Sequence, residues 1–238
     1  GEAEEIGSEY IENAEKVVEP STQDIVDAAR MYLGIRQLMN EAEANAVTVD
    51  CLPLTYAGLL PAFPCLAFSR LIYLRLIGVC EADLAATLTQ MIVGFLADRP
   101  GFVSDPVIDT SNNIITHSHC VAATKMGGVD SYPEPYVIRS HAEDDESVSL
   151  QVKMRPGQEV THAKLADFDT MLVARGQTVG NVDIDKGCRT KVQMKVGDAR
   201  KLYQNYRGGL HRLMFYGDLV RQIEDLGRLL GFTVVDEC

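Results

Sequence analysis

The periodicity of the chain changes part-way along it, and that change limits what it can fold into. Up to about residue 100 apolar residues recur at helical spacing. Ser21 and Asp24 form an S-x-x-D capping box after Pro20. Ile25, Ala28, Ala29, Tyr32 and Leu33 then fall on one face, which predicts an amphipathic helix over residues 22–43. Beyond Gly127-Gly128 the pattern becomes short alternating runs: YVIRSHA, VSLQVKM, VTHAKLA, TMLVARGQTVG and RTKVQMKV. Pro156-Gly157, Gly176, Gly180 and Gly187 punctuate them, as turns punctuate an antiparallel barrel or sandwich.

Between these regimes the elements alternate. Residues 1–19 read as a charged helical lead-in and AVTVDCL as a buried parallel strand. Residues 53–64 read as a long loop and 68–77 as helical. A further helix opens at Glu81, with Leu84, Leu88, Met91, Ile92 and Phe95 on its buried face, and Arg99-Pro100-Gly101 stops it. GFVSD and NIITHSHC are two more strands. A final helix over residues 217–230 is capped by Gly231, and FTVVD closes as a strand. The expected fold class is therefore α/β: a parallel-sheet α/β layer over residues 1–125, followed over 126–238 by a small antiparallel β-barrel-like domain.

Charge excludes some partners. The net charge is −12, and residues 1–50 hold twelve Asp and Glu against three Lys and Arg. Nucleic acid and anionic lipid both need a basic surface, so neither is expected. The apolar stretch over residues 59–79 is broken by Pro61, Pro64, Ser69, Arg70 and Arg75, which does not suit a membrane span. The six cysteines are scattered without a CxxC and read as reduced core residues, so a cytoplasmic protein is expected. The acidic start without Met suggests a piece that begins mid-protein.

Three residues stand out as metal ligands: Glu81 in CEADL, Asp105 in GFVSDPVID and His211 in YRGGLHRL. Two carboxylates and an imidazole suit a divalent cation of intermediate hardness such as Mn²⁺ better than a structural Zn²⁺. Each has a bland explanation as well. A first-turn glutamate complements the helix dipole, and an Asp before Pro forms an Asx-turn. A histidine after Gly-Gly is more often a packing residue. Asp83 shares the turn of Glu81 on another face, and Asp109 is a weaker rival to Asp105. His117 and His119 are assigned to opposite faces of their strand, so that at most one enters a given site. His141 and His162 read as structural or exposed.

The runs PAFPCLAFSRL, GVCEADLAATLTQMIVGFL and RPGFVSDPVIDTSNNIITHSHC resemble the catalytic middle domain of the L-fucose isomerase and L-arabinose isomerase superfamily. NYRGGLHRLMFYGDLVRQIEDLGRLLGFTVVD resembles the C-terminal end of those enzymes. The resemblance implies a metal-dependent aldose–ketose isomerase using Mn²⁺ or a similar ion. It makes Glu81 and Asp105 both metal ligands and acid/base groups, His211 a ligand, and His119 a further ligand at a shorter spacing from Asp105. It also implies a small sugar substrate, a homo-oligomer (trimer or hexamer), and an N-terminal α/β domain that this chain lacks. The alternative is a non-catalytic sugar-binding or assembly module with the same fold.

Overall fold

The computed structural model describes residues 1–238. The first part is a helical layer. Helix α1 (Glu2–Asn13) leads through a short strand, β1 (Lys16–Val17), into α2 (Thr22–Glu41). The Ser21 hydroxyl accepts from the Asp24 N–H, and the Asp24 carboxylate accepts from the Ser21 N–H, so the capping box is complete. Strand β2 (Ala46–Val49), the short helix α3 (Cys51–Tyr56), helix α4 (Cys65–Tyr73) and strand β3 (Ile77–Cys80) follow. Strands β2 and β3 pair in parallel as a sheet of two. Helix α5 (Leu84–Ala97) then leads into β4 (Gly101–Asp109) and β5 (Ile114–His119).

The remaining strands are β6 (Tyr136–Arg139), β7 (Ser149–Val152), β8 (Glu159–Asp167), β9 (Thr170–Asn181) and β10 (Thr190–Val196). Helix α6 (Ala199–Asn205), β11 (Arg212–Tyr216), α7 (Val220–Leu230) and β12 (Thr233–Asp236) complete the chain. Strands β1, β6 and β7 form a small sheet. The main sheet runs β10-β5-β4-β11-β8-β9, and β9 pairs again with β10, so six antiparallel strands close into a barrel. Strand β12 adds to β9 in parallel. Closure removes the sheet edges that an open sheet would have to protect.

The expected parallel α/β layer is absent, which corrects the fold class. The parallel pairing is confined to β2 with β3, β1 with β6, and β12 with β9. Strands β4 and β5, expected in that layer, are barrel strands. The reason lies in their connection. Only residues 110–113 separate them, and a parallel pair needs a crossover of about a dozen residues. The Asp109 carboxylate accepts from the Ser111 and Asn112 backbone N–H groups, and Asn113 takes φ +54°, so the chain turns back as a hairpin.

Alternate barrel positions belong to two cores. Phe102, Ile115, Val160, Val192, Met194 and Met214 face the interior, in a core continuous with α1, α2 and α4. Val103, Ala163, Leu165, Val173, Leu213 and Phe215 face outward and are covered by α5 and α7. Helix α5 lies on the barrel in a different rotation from the one its leucines predict. Leu84 and Phe95 are 69% and 58% exposed, while Ala86, Thr89, Gln90 and Val93 are buried. The small and polar side wins because it ties the helix to strand backbone. Thr89 Oγ1 accepts from the Leu165 N–H at 2.8 Å, and Gln90 Oε1 accepts from the Gly101 N–H at 3.2 Å. No helix is long and apolar enough to cross a membrane, and all six cysteines are free thiols.

The barrel interior is partly polar. The Ser104 Oγ lies 2.6 Å from His117 Nδ1, His117 Nε2 lies 3.4 Å from His162 Nδ1, and His162 Nε2 lies 3.0 Å from Glu237 Oε2. With both rings neutral, His117 donates from Nε2 to His162 and His162 donates from Nε2 to the carboxylate, while the single Ser104 hydroxyl proton lies between His117 Nδ1 and the Arg212 carbonyl oxygen, 3.0 Å away. Burial holds both imidazoles below their usual range, His117 well below it. At low pH the unfolded chain therefore takes up protons at about 6.5 that the folded chain refuses. Stability is fully present above about pH 7 and falls as the pH drops through about 6.5, by up to about 1.4 kcal/mol per unit for each ring. Urea unfolding midpoints at a series of pH values check this, and His117→Gln should flatten the fall.

Candidate metal centre

Glu81, Asp105, His119 and His211 come together at one rim of the barrel. His211 Nε2 is 3.6 Å from Glu81 Oε2 and 3.6 Å from Asp105 Oδ1. His119 Nε2 is 3.8 Å from Glu81 Oε1, and its ring meets that of His211 edge-on at 5.4 Å. One ligand atom each from Glu81, His119 and His211 lies within 4.8 Å of the others.

Each side chain is delivered by a local feature. Glu81 follows β3 and sits in a turn, not in the first turn of a helix as expected. Glu81 and Ala82 both take positive φ, +63° and +52°. Two successive non-glycine residues in this region store strain, and they aim the Glu81 carboxylate back towards the barrel. Ala82→Gly should relieve part of that strain and raise stability by about 0.5–1 kcal/mol. A higher urea midpoint would show it; an unchanged or lower midpoint would count against strain at this turn. Asp105 lies in the middle of β4, opposite Ser118. His211 directly precedes β11 and follows Gly208 and Gly209, both at positive φ. A Cβ on Gly208 would lie 2.7 Å from the Ala166 Cα, so only glycine lets this loop close onto the end of β8.

Asp83 has a part that the sequence reading missed. It is the N-cap of α5, accepting from the Ala86 N–H at 2.7 Å. Its other oxygen accepts from His211 Nδ1 at 2.9 Å and from Lys164 Nζ at 3.1 Å. A carboxylate behind an imidazole fixes the ring and its proton, which leaves Nε2 as a bare lone pair. The signal was present in the sequence: an Asp immediately before Leu84, the first residue of the apolar periodicity. Helix N-cap, His211 and Lys164 together hold the Asp83 carboxyl far below its usual range, despite burial.

His117 and His119 are both buried and share a face, because strand residues two apart point the same way. The expectation of opposite faces is wrong. His117 lies deeper, in the polar chain of the interior, and His119 ends the strand at the rim. Asp109 serves the β4–β5 turn. His141 stacks on Phe63 at 4.0 Å, and His162 is an interior barrel residue.

Two buried polar atoms here have no hydrogen-bond partner: Asp105 Oδ1 and His211 Nε2. They face each other. An unpaired acceptor against an unpaired acceptor is costly unless a cation lies between them. Atoms bound to one cation at about 2.0–2.2 Å lie about 3.0–3.6 Å apart, which matches the spacing here. The donor set therefore fits a divalent metal ion. The two carboxylates differ. Contact with His119 holds Glu81 below its usual range, against burial, whereas burial pushes Asp105 up.

No protein-family model matches the chain. It is similar to three curated sugar isomerases. The sulfoquinovose isomerase of Alkalicoccus urumqiensis is 23% identical over 95% of this chain and 52% of its own length. Those of Priestia aryabhattai and Priestia megaterium are each 24% identical over 93% of this chain and 51% of theirs. The chain thus spans about half the length of the curated relatives it matches. These relatives bear a sugar-isomerase name, as the sequence resemblance implied, but not the fucose or arabinose name.

Proposed function

We propose that the chain carries the metal centre of an aldose–ketose isomerase, with Glu81, Asp105 and His211 as ligands of Mn²⁺ or a similar divalent ion. The observation that carries this is the pair of unpartnered buried atoms, Asp105 Oδ1 and His211 Nε2, 3.6 Å apart with Glu81 beside them. The names of the relatives support the reaction class.

Interconverting an aldose and a ketose moves a proton between C1 and C2 of the open-chain sugar. A divalent ion at this site would stabilise the negative charge that builds on the sugar oxygens. The chain's own residues supply the rest. A carboxylate within reach of both carbons takes the proton from one and returns it to the other. Glu81 and Asp105 are the two carboxylates placed for this, each 3.6 Å from His211 Nε2. Asp83 and Lys164 hold the His211 ring so that its lone pair faces inward.

Calorimetric titration of this chain with Mn²⁺ tests the centre, with one equivalent bound by the wild type and binding lost in His211→Gln. Assay of the full-length protein on an aldose panel that includes sulfoquinovose, L-fucose and L-arabinose tests the reaction and its sugar. A wild-type chain that takes up no divalent ion would sink the proposal. The homo-oligomer belongs to the same proposal and is read by light scattering.

A further inference from the structure

The two histidines of the site are turned in opposite senses. His211 places Nδ1 against the Asp83 carboxylate at 2.9 Å, so that nitrogen carries the proton and Nε2 is the lone pair. His119 is held the other way. The backbone N–H of Val121 donates to His119 Nδ1 at 3.3 Å, in a buried position. A neutral imidazole has one N–H and one lone pair. With the Nδ1 lone pair committed to Val121, the proton of His119 is on Nε2, the atom that looks at Glu81 Oε1 across 3.8 Å. The contact is built into the chain path. His119 is the last residue of β5, paired with Thr190, and the chain leaves the sheet directly after it, which swings the Val121 N–H round to the ring.

We infer that His119 is a proton-bearing hydrogen-bond donor to an oxygen of the sugar, not a metal ligand. This rests on the reading of Glu81, Asp105 and His211 as the metal centre, and it departs from the ligand set implied by the resemblance, in which His119 is a further ligand. Nearness alone groups His119 with Glu81 and His211. Proton placement separates it, because a ring that accepts at Nδ1 can ligate through Nε2 only by losing its last proton. At the rim beside Glu81, the Nε2–H stands where a sugar carbonyl oxygen would lie when its carbons face the carboxylates. A neutral imidazole that donates from Nε2 polarises such a carbonyl without transferring the proton and assists formation of the enediolate.

Long-range ¹H–¹⁵N spectra of the metal-free chain give the decisive measurement, since they report which ring nitrogen carries the proton. The expected pattern is Nε2–H for His119 and Nδ1–H for His211, each assigned by its loss in His119→Gln and His211→Gln. Nδ1–H at His119 overturns the inference. This readout stands whether or not the chain binds metal, so it separates a failure of the inference from a failure of the metal centre. Mn²⁺ titration gives the second arm. His119→Gln, which keeps an N–H donor, should change affinity by less than about threefold, whereas His211→Gln should cost about 100-fold or more. A loss at His119→Gln as large as at His211→Gln makes His119 a ligand and overturns the inference. In the full-length enzyme His119→Ala should lower kcat by about 100-fold with little change in KM, and His119→Gln should recover part of it. An unchanged kcat in His119→Ala would equally overturn it.

Discussion

Glu81→Gln in the full-length protein is expected to lower aldose turnover by about 10²–10⁴-fold and leave the fold intact. The substitution keeps shape and volume but removes the negative charge. That charge faces His211 Nε2 at 3.6 Å and His119 Nε2 at 3.8 Å, and it belongs to a side chain that is 35% exposed. No other polar group depends on it for satisfaction, so the cost in stability should stay within about 0.5 kcal/mol. Metal affinity should fall together with turnover, because one of three ligands is weakened. Retention of both Mn²⁺ affinity and sugar turnover would remove Glu81 from the mechanism. Loss of both with a lowered melting temperature would point to a role in folding instead.

The site was more legible in the sequence than the fold. Glu81 and His211 lie in or beside turns that glycine and charge mark plainly, and such turns place side chains at the rim of whatever sheet they join, whereas Asp105 lies in mid-strand and stands out as a carboxylate in an apolar run. The fold was misread at one short connection. GFVSDPVID and NIITHSHC have the composition of buried strands in either a parallel sheet or a barrel, and composition does not separate the two. The DTSNN between them does, because it is too short for a crossover. Helix α5 misled for a related reason. Its leucines form the stronger apolar stripe, but Thr89 and Gln90 make the hydrogen bonds that fix its rotation. Hydrophobic periodicity does not register a polar side chain that satisfies a strand end. The role of Asp83 behind His211 was not legible, because the bond joins residues 128 positions apart.

Glu237→Ala is expected to destabilise the chain by about 3–5 kcal/mol. Arg212 is completely buried, and Glu237 is 5% exposed. The guanidinium donates from Nε to Oε2 at 3.1 Å and from Nη2 to Oε1 at 2.9 Å, a two-pronged pair, while His162 contacts the same Oε2 at 3.0 Å. Removing the carboxylate would leave a guanidinium in the barrel without a counter-charge, held only by neutral backbone carbonyls and the Tyr206 ring 4.4 Å away. For a chain of this length the melting temperature should fall by about 10 °C. The double variant Arg212→Met with Glu237→Leu should recover most of that loss, because it removes both desolvation costs together. The pair also reaches the candidate metal centre. Arg212 donates to the Arg207, Gly209 and His211 carbonyls at 2.7, 3.0 and 3.3 Å, and so shapes the loop that delivers His211. The double variant should therefore regain stability without regaining Mn²⁺ affinity. Recovery of both would show that the loop holds His211 in place without the arginine.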